Sequence, residues 1–186
     1  MGWRNNTDAV IEGKLYLGNL NTASSPQGLH ERGITHIVSV CNEAIPAHHP
    51  RSGYVIHKIP VEDEPTEDLL IHLPDACRFI HSAMINPAAR VLVHCVQGLS
   101  RSACVVAAYL MWLRHVSATD ALTAVRQARE QVWLNPSFHE QLVVFEACRY
   151  APHPNEGVYR SWRLRLEEAR RRIAAQRPGG SSSRIG

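Results

Sequence analysis

No apolar run in the 186-residue sequence approaches the roughly 18 residues that a membrane span requires, and none near its start has the length of a secretory signal. The start also misses the myristoylation pattern, because Asn6 stands where Ser or Thr is expected. These absences exclude a membrane-spanning class and lead us to expect a soluble, cytoplasmic protein, with the nucleus as an alternative. The five cysteines, at 41, 77, 95, 104 and 148, are odd in number and contain no C-x-x-C pair. A disulfide framework and a zinc knuckle are therefore both excluded, and free thiols are expected. His48-His49 has poor ligand spacing, so no metal is expected. No internal repeat is present. With 45% hydrophobic and 20% charged residues, the chain is also neither collagenous nor wholly disordered.

A large excess of one charge is missing as well. Residues 1–152 hold 12 Lys/Arg against 14 Asp/Glu, whereas residues 153–186 hold 8 Arg against 3 Glu. A near-neutral body argues against nucleic-acid binding there; any polyanion would meet the tail.

What is present reads as alternating strands and helices. Leu15 to Gly18, Ile34 to Val40 and Tyr54 to Ile59 have strand composition, and Val91 to Val93 is a continuous apolar run suited to a strand buried on both faces. Between the last two, Pro74 opens a helix carrying Ala76, Cys77, Ile80, Ala83 and Met84 at helical spacing. Strand, helix and strand form a βαβ unit, so these strands should run parallel, joined by a right-handed crossover, and open their loops on one sheet edge. Further helices are expected from about Ser102, from Ser117 with Asp120 as a capping box, and from Asn135-Pro136 with Phe138, Leu142, Phe145 and Cys148 on one face. The fold class is α/β, a central, mostly parallel twisted sheet flanked by helices. Beyond Pro152 and Pro154, Val158, Trp162, Leu166, Ala169 and Ile173 mark an extra amphipathic helix rich in arginine. We divide the chain into a main domain (1–152), this basic accessory helix (153–178) and a disordered tail (179–186).

The stretch His94-Cys95-Val96-Gln97-Gly98-Leu99-Ser100-Arg101-Ser102 lies between the buried strand and the next helix. In such a loop, backbone N–H groups and the positive end of the helix can cradle a tetrahedral dianion. Gly98 lets the loop turn, and Arg101 supplies a planar fork for two phosphate oxygens. A cradle for an anion also favours a thiolate, so Cys95 is expected to act as a nucleophile at neutral pH. In-line attack on a phosphoester would give a cysteinyl-phosphate, with Val96 to Arg101 holding the equatorial oxygens and Ser102 easing departure of the sulfur. The leaving group needs a proton, and the loop after the neighbouring strand offers Glu62, Asp63, Glu64, Glu67 and Asp68. Spacing alone does not choose among them.

H-C-x-x-G-x-x-R-S after a buried strand resembles the signature of the cysteine-dependent protein tyrosine phosphatases, specifically their small atypical dual-specificity class. LYLGNL, ITHIVSV, IPVEDEP and NPSFHEQL are similar to further landmarks of that family, which together cover roughly residues 10–150. The resemblance implies a cofactor-free, metal-independent protein phosphatase acting on phosphotyrosine and on phosphoserine or phosphothreonine. It implies Asp63 as general acid, with Asp68 and Glu62 as second choices, and treats Asn135, Phe138, Gln141 and Leu142 as scaffold. The sequence departs from the pattern at Gln97, where a small residue is commoner, and at Glu130, where Pro commonly follows Arg.

Two further residues have alternative readings. His94 either hydrogen-bonds the loop or simply packs at a strand end. Cys41 is either a buried small hydrophobe or a redox partner of Cys95, reached along the same sheet edge. The basic helix either packs on the body or binds a partner. An RNA 5′-phosphatase, a non-catalytic phosphopeptide-binding module and a sulfurtransferase are the rival functions.

Overall fold

The computed structural model of the chain describes residues 7–176. Among these, five strands form one sheet in the order β1 (Thr7–Ile11), β2 (Leu15–Gly18), β5 (Val91–His94), β3 (His36–Ser39), β4 (Val55–Lys58). Only the β1/β2 hairpin is antiparallel; β2, β5, β3 and β4 run parallel. The sheet is thus mixed and mostly parallel. The helices are α1 (Leu20–Ala23), α2 (Pro26–Glu31), α3 (Leu73–Ile85), α4 (Arg101–Arg114), α5 (Ala118–Ala128), α6 (Pro136–Ala147) and α7 (Gly157–Gln176).

The strand order follows from apolarity. β5 is buried at all four positions, which a strand covered by helices on both faces requires. β3, with Ile37 and Val38 fully buried, takes the place beside it. β4 exposes Val55 by 50% and Lys58, and it stands at the edge, so the connection through α3 passes over β3 rather than joining neighbours. The register aligns Gly18 and Ser39 with His94, and Ser39 with Lys58. The loops after four parallel strands therefore leave from one edge, the arrangement that gathers ligand sites in open α/β sheets.

α4 is apolar on all sides and buried from Arg101 through Met111, the mark of a central helix. α5 and α6 pack against it. The Ser117 hydroxyl accepts from Asp120 N–H at 3.1 Å and so caps α5, while the Asn135 side chain accepts from Ser137 N–H and caps α6.

Three elements have little sequence signal: β1, α1 and α2 are short and carry no long apolar period. The last two depend on caps, the Asn19 side chain accepting from Thr22 N–H at 3.1 Å and the Ser25 hydroxyl from Gly28 N–H at 3.0 Å.

α7 exists and buries Trp162 and Leu166 of the expected seam, but Tyr159 takes the place expected of Val158. Tyr159, Trp162 and Leu166 are buried within the main core, whereas Val158 and Ile173 are exposed. Burying the Tyr159 ring removes more apolar area from water than burying Val158, so the first turn of the helix brings Tyr159 inward. Residues 179–186, expected to be a disordered tail, lie outside the described residues. No described helix is long and apolar enough to cross a membrane.

Candidate active site

Residues 95–100 bridge the end of β5 and the start of α4. Three of their carbonyls are tied outward: Val96 O to Leu20 N–H at 3.1 Å, Leu99 O to Trp133 N–H at 3.1 Å, and Gln97 O to the Arg129 guanidinium at 3.5 Å. In a trans peptide the C=O and the following N–H point opposite ways, so the amides of Gln97, Gly98 and Ser100 turn toward the inside of the loop. Gly98 N–H meets the Cys95 Sγ there at 3.2 Å. Gly98 has φ +72°, and a Cβ at this position would lie 2.4 Å from Gly18 O, so no other residue fits.

Cys95 is buried at the floor of this loop, and the Ser102 hydroxyl donates to its sulfur at 3.2 Å from the first turn of α4. The Arg101 side chain is also buried. Its Nη1 donates to Val61 O at 3.0 Å, and its Nε has no hydrogen-bond partner. A buried, unpartnered N–H on a charged group is costly, and an oxyanion in the loop would satisfy it.

The loop after β4 closes over the same guanidinium. Glu62 Oε2 lies 3.6 Å from Arg101 Nη1, and Asp63 Oδ2 lies 3.9 Å from its Nε. Asp63 is held further by the Ser100 hydroxyl at 2.9 Å and by Asn135 Nδ2 at 3.4 Å. Glu62 is instead engaged by Asn42 Nδ2. Asp68, a second choice for the acid, is committed elsewhere: it accepts from Tyr159 Oη at 2.7 Å, Arg163 Nη1 at 2.8 Å and Ile71 N–H at 3.2 Å. It anchors α7, which also takes hold of Thr66 O through Arg170 Nε at 2.8 Å. Gln141, at the centre of α6, secures the base of this loop at Leu70 N–H and Glu67 O, both at 2.8 Å.

Behind the loop, His94 is fully buried, and burial pushes its imidazole down to about 4, so it is neutral at pH 7. A chain of hydrogen bonds then settles the direction of each proton. Ile45 N–H donates to His48 Nδ1, which places the His48 proton on Nε2 and points it at Ser39 Oγ, 2.9 Å away. The Ser39 hydroxyl donates to His94 Nε2 at 2.7 Å, leaving His94 Nδ1–H to donate to Cys95 O at 3.3 Å. Ser39 and His48 carry no catalytic signature, and only the pairing of β3 with β5 brings them here.

Cys41 lies two residues beyond β3, buried and with a free thiol. Burial and the neighbouring Glu43 carboxylate push that thiol up to about 12, against a smaller opposing pull from Arg101. Cys41 thus shares the charged surroundings of the site.

Beside the loop lies an open cleft of about 370 Å³ lined by Asp63, Pro65, Gln97, Leu99, Ser100, Trp133, Asn135 and Pro136. Hollows of about 410 and 390 Å³ flank α7, but they contain none of the loop residues. Gln97 is exposed at the rim, and Glu130 is exposed beyond α5. Trp133, on the cleft wall, belongs to none of the sequence landmarks. No described cluster of His, Cys, Asp and Glu has a geometry for metal binding.

A thiol ringed by amide and hydroxyl donors at the end of a buried parallel strand, with a guanidinium beneath an acidic loop, defines a cysteine-centred oxyanion site on a protein tyrosine phosphatase-like sheet. The family model "Dual specificity phosphatase, catalytic domain" matches residues 15–148, and the chain belongs to that family. It is 39% identical over 142 residues to dual specificity protein phosphatase 22-A of Danio rerio, covering 76% of this chain and 66% of the relative. It is 37% identical over 139 residues to dual specificity protein phosphatase Mpk3 of Drosophila melanogaster, covering 74% and 33% respectively. The chain thus matches less than two thirds of the length of either relative. The crystal structure of human DUSP28 superposes with a TM-score of 0.69 at 34% identity, covering 76% of this chain and 93% of that one.

Proposed function

We propose that this chain is a protein phosphatase that hydrolyses phosphotyrosine and phosphoserine or phosphothreonine through a cysteinyl-phosphate. The observation that carries the reading is the pair of 3.2 Å hydrogen bonds from Gly98 N–H and the Ser102 hydroxyl to the Cys95 sulfur, set beside the open Nε of Arg101.

In the first step the Cys95 thiolate attacks phosphorus, the P–O ester bond breaks, and Asp63 gives its proton to the departing oxygen. The inward amides and Arg101 stabilise the charge on the equatorial oxygens. In the second step water attacks the phosphocysteine, and Asp63, now ionised, takes a proton from it. The S–P bond breaks while the Ser102 hydroxyl donates to the leaving sulfur. His94 positions the loop through Cys95 O, and no cofactor takes part. The sulfur must stay reduced for this chemistry, which fits the cytoplasm or nucleus.

The division of the chain places the catalytic domain in 1–152, with α7 as an accessory helix that packs on it. Packing is the reading supported here, because Arg163, Arg165 and Arg170 reach Asp68, Glu140 and Thr66 O on the body. This leaves less free positive charge for RNA, and the phosphoprotein reading stands above the RNA 5′-phosphatase one.

The test is phosphate release from an aryl phosphate and from phosphopeptides, with EDTA present, for wild type, Cys95→Ser and Asp63→Ala. Turnover that resists EDTA and is lost in Cys95→Ser supports the reading; full activity in Cys95→Ser rejects it.

A further inference from the structure

Residues 129–135 run without regular structure from α5 to α6, and their course is set by the phosphate loop. Arg129 holds Gln97 O at 3.5 Å, Trp133 N–H holds Leu99 O at 3.1 Å, and Asn135 N–H donates to the Ser100 hydroxyl at 3.1 Å. Val132 and Leu134 are buried on either side, and Arg126 Nε fixes Val132 O at 3.2 Å. Between these fixed points the Trp133 side chain is 73% exposed. A lone apolar side chain on a surface is ordinary, but this indole is pinned by its own backbone to the loop around Cys95 and lines one cleft with Leu99, Ser100 and Asp63. The backbone on which it stands is not free to turn it inward.

We propose that Trp133, facing the same cleft as Leu99, is the wall against which the ring of a phosphotyrosine stacks, so that the enzyme prefers aryl to alkyl phosphate esters. The proposal rests on the phosphatase reading above and narrows its substrate class. Cys95 is 1% exposed, so a phosphate that reaches its sulfur draws the ester group down into the cleft. A phosphotyrosine then places a flat ring at the level of the cleft walls, where an offset or edge-on contact with the indole adds to the contact with Leu99. Phosphoserine and phosphothreonine have no ring to place there, and their shorter side chains bring polar backbone to the same wall. Burying that backbone against an indole leaves peptide groups unpaired, which disfavours them further.

The experiment compares kcat/KM for matched phosphotyrosine and phosphothreonine peptides in wild type, Trp133→Ala and Trp133→Phe. The proposal expects the phosphotyrosine-to-phosphothreonine ratio to fall about 2- to 10-fold in Trp133→Ala, carried by KM, and to recover in Trp133→Phe. An unchanged ratio, or equal loss on both peptides, overturns it while leaving the phosphatase reading intact. A second readout needs no turnover. Titrating phosphotyrosine into Cys95→Ser should change tryptophan fluorescence, and the change should vanish when Trp133→Phe is added; a change that survives this substitution overturns the proposal. A wild type inactive on every phosphoester overturns the phosphatase reading itself.

Discussion

The Ser100 hydroxyl donates to Asp63 Oδ1 at 2.9 Å and accepts from Asn135 N–H at 3.1 Å, so one small side chain joins the loop that holds Cys95, the loop that carries the acid and the start of α6. Asp63 is partly exposed, and this bond together with the one from Asn135 Nδ2 sets where its carboxyl lies. Removing the Ser100 bond in Ser100→Ala should lower kcat about 10-fold on alkyl phosphates, whose leaving group needs the Asp63 proton. The loss should be smaller on p-nitrophenyl phosphate, whose leaving group departs readily as an anion. Steady-state kinetics on the two substrates check this; equal losses would show that Ser100 does not act through Asp63.

Asp68 and Asp63 stand five residues apart and have opposite duties. Asp68→Asn should leave the acid–base limb of the pH profile in place. It should cost about 2 kcal/mol of stability, because Tyr159, Arg163 and Ile71 N–H lose a largely buried anion that offers both oxygens as acceptors. Tyr159→Phe should cost about 1 kcal/mol. Urea denaturation measures both, and Asp63→Asn in the same series should leave stability nearly unchanged while lowering kcat.

Acid should weaken the fold through its buried histidines. The buried His94 has its pKa pushed down from 6.5 to about 4, so below pH 6.5 the unfolded chain takes up a proton that the folded one refuses. Stability attributable to His94 is therefore complete above pH 6.5 and falls toward pH 4, by about 3 kcal/mol in all. His36, His48 and His57 are also lowered by burial and act with the same sign. Denaturation midpoints from pH 7.5 to 4.5 check the slope, and a flat profile would contradict the buried neutral imidazole.

Any disulfide between Cys41 and Cys95 should form slowly. With its thiol pushed up to about 12, almost none is thiolate at pH 7, and the thiolate is the species that would attack an oxidised Cys95. Each unit of rising pH increases that fraction about tenfold. Peroxide treatment followed by mass spectrometry should show the yield of a Cys41–Cys95 disulfide rising from pH 6.5 to 8.5 at fixed time. A yield independent of pH would show that Cys41 is not the attacking group.

The phosphate loop was legible because its parts are contiguous: strand, Cys95, Gly98, Arg101 and Ser102 occur within one short stretch, and the apolar β5 before it and α4 after it gave the context. The acid was only half legible. Five carboxylates share the stretch from Glu62 to Asp68, and what separates Asp63 from Asp68 is contact with Ser100 and Asn135 on one side and Tyr159 and Arg163 on the other. Those partners lie far away in sequence. The Ser39 and His48 support of His94 was not legible, since it depends on β3 rather than β4 lying beside β5. The inward face of α7 was legible at Trp162 and Leu166 but not in its first turn, because a period of three and four residues admits either Val158 or Tyr159 there, and the larger area of the Tyr159 ring decides between them. Trp133 gave no signal, because an exposed aromatic in an irregular segment has meaning only once the loop beside it is in place.

The most direct test of the account is to look for phosphate on the sulfur. Ser102→Ala should slow breakdown of the intermediate, so acid quenching during turnover of an aryl phosphate, followed by peptide mass spectrometry, should find one phosphoryl group on Cys95. In Cys95→Ser, both that modification and phosphate release should disappear. Phosphate release from wild type with no phosphorylated cysteine in either protein, or release that persists in Cys95→Ser, would contradict it.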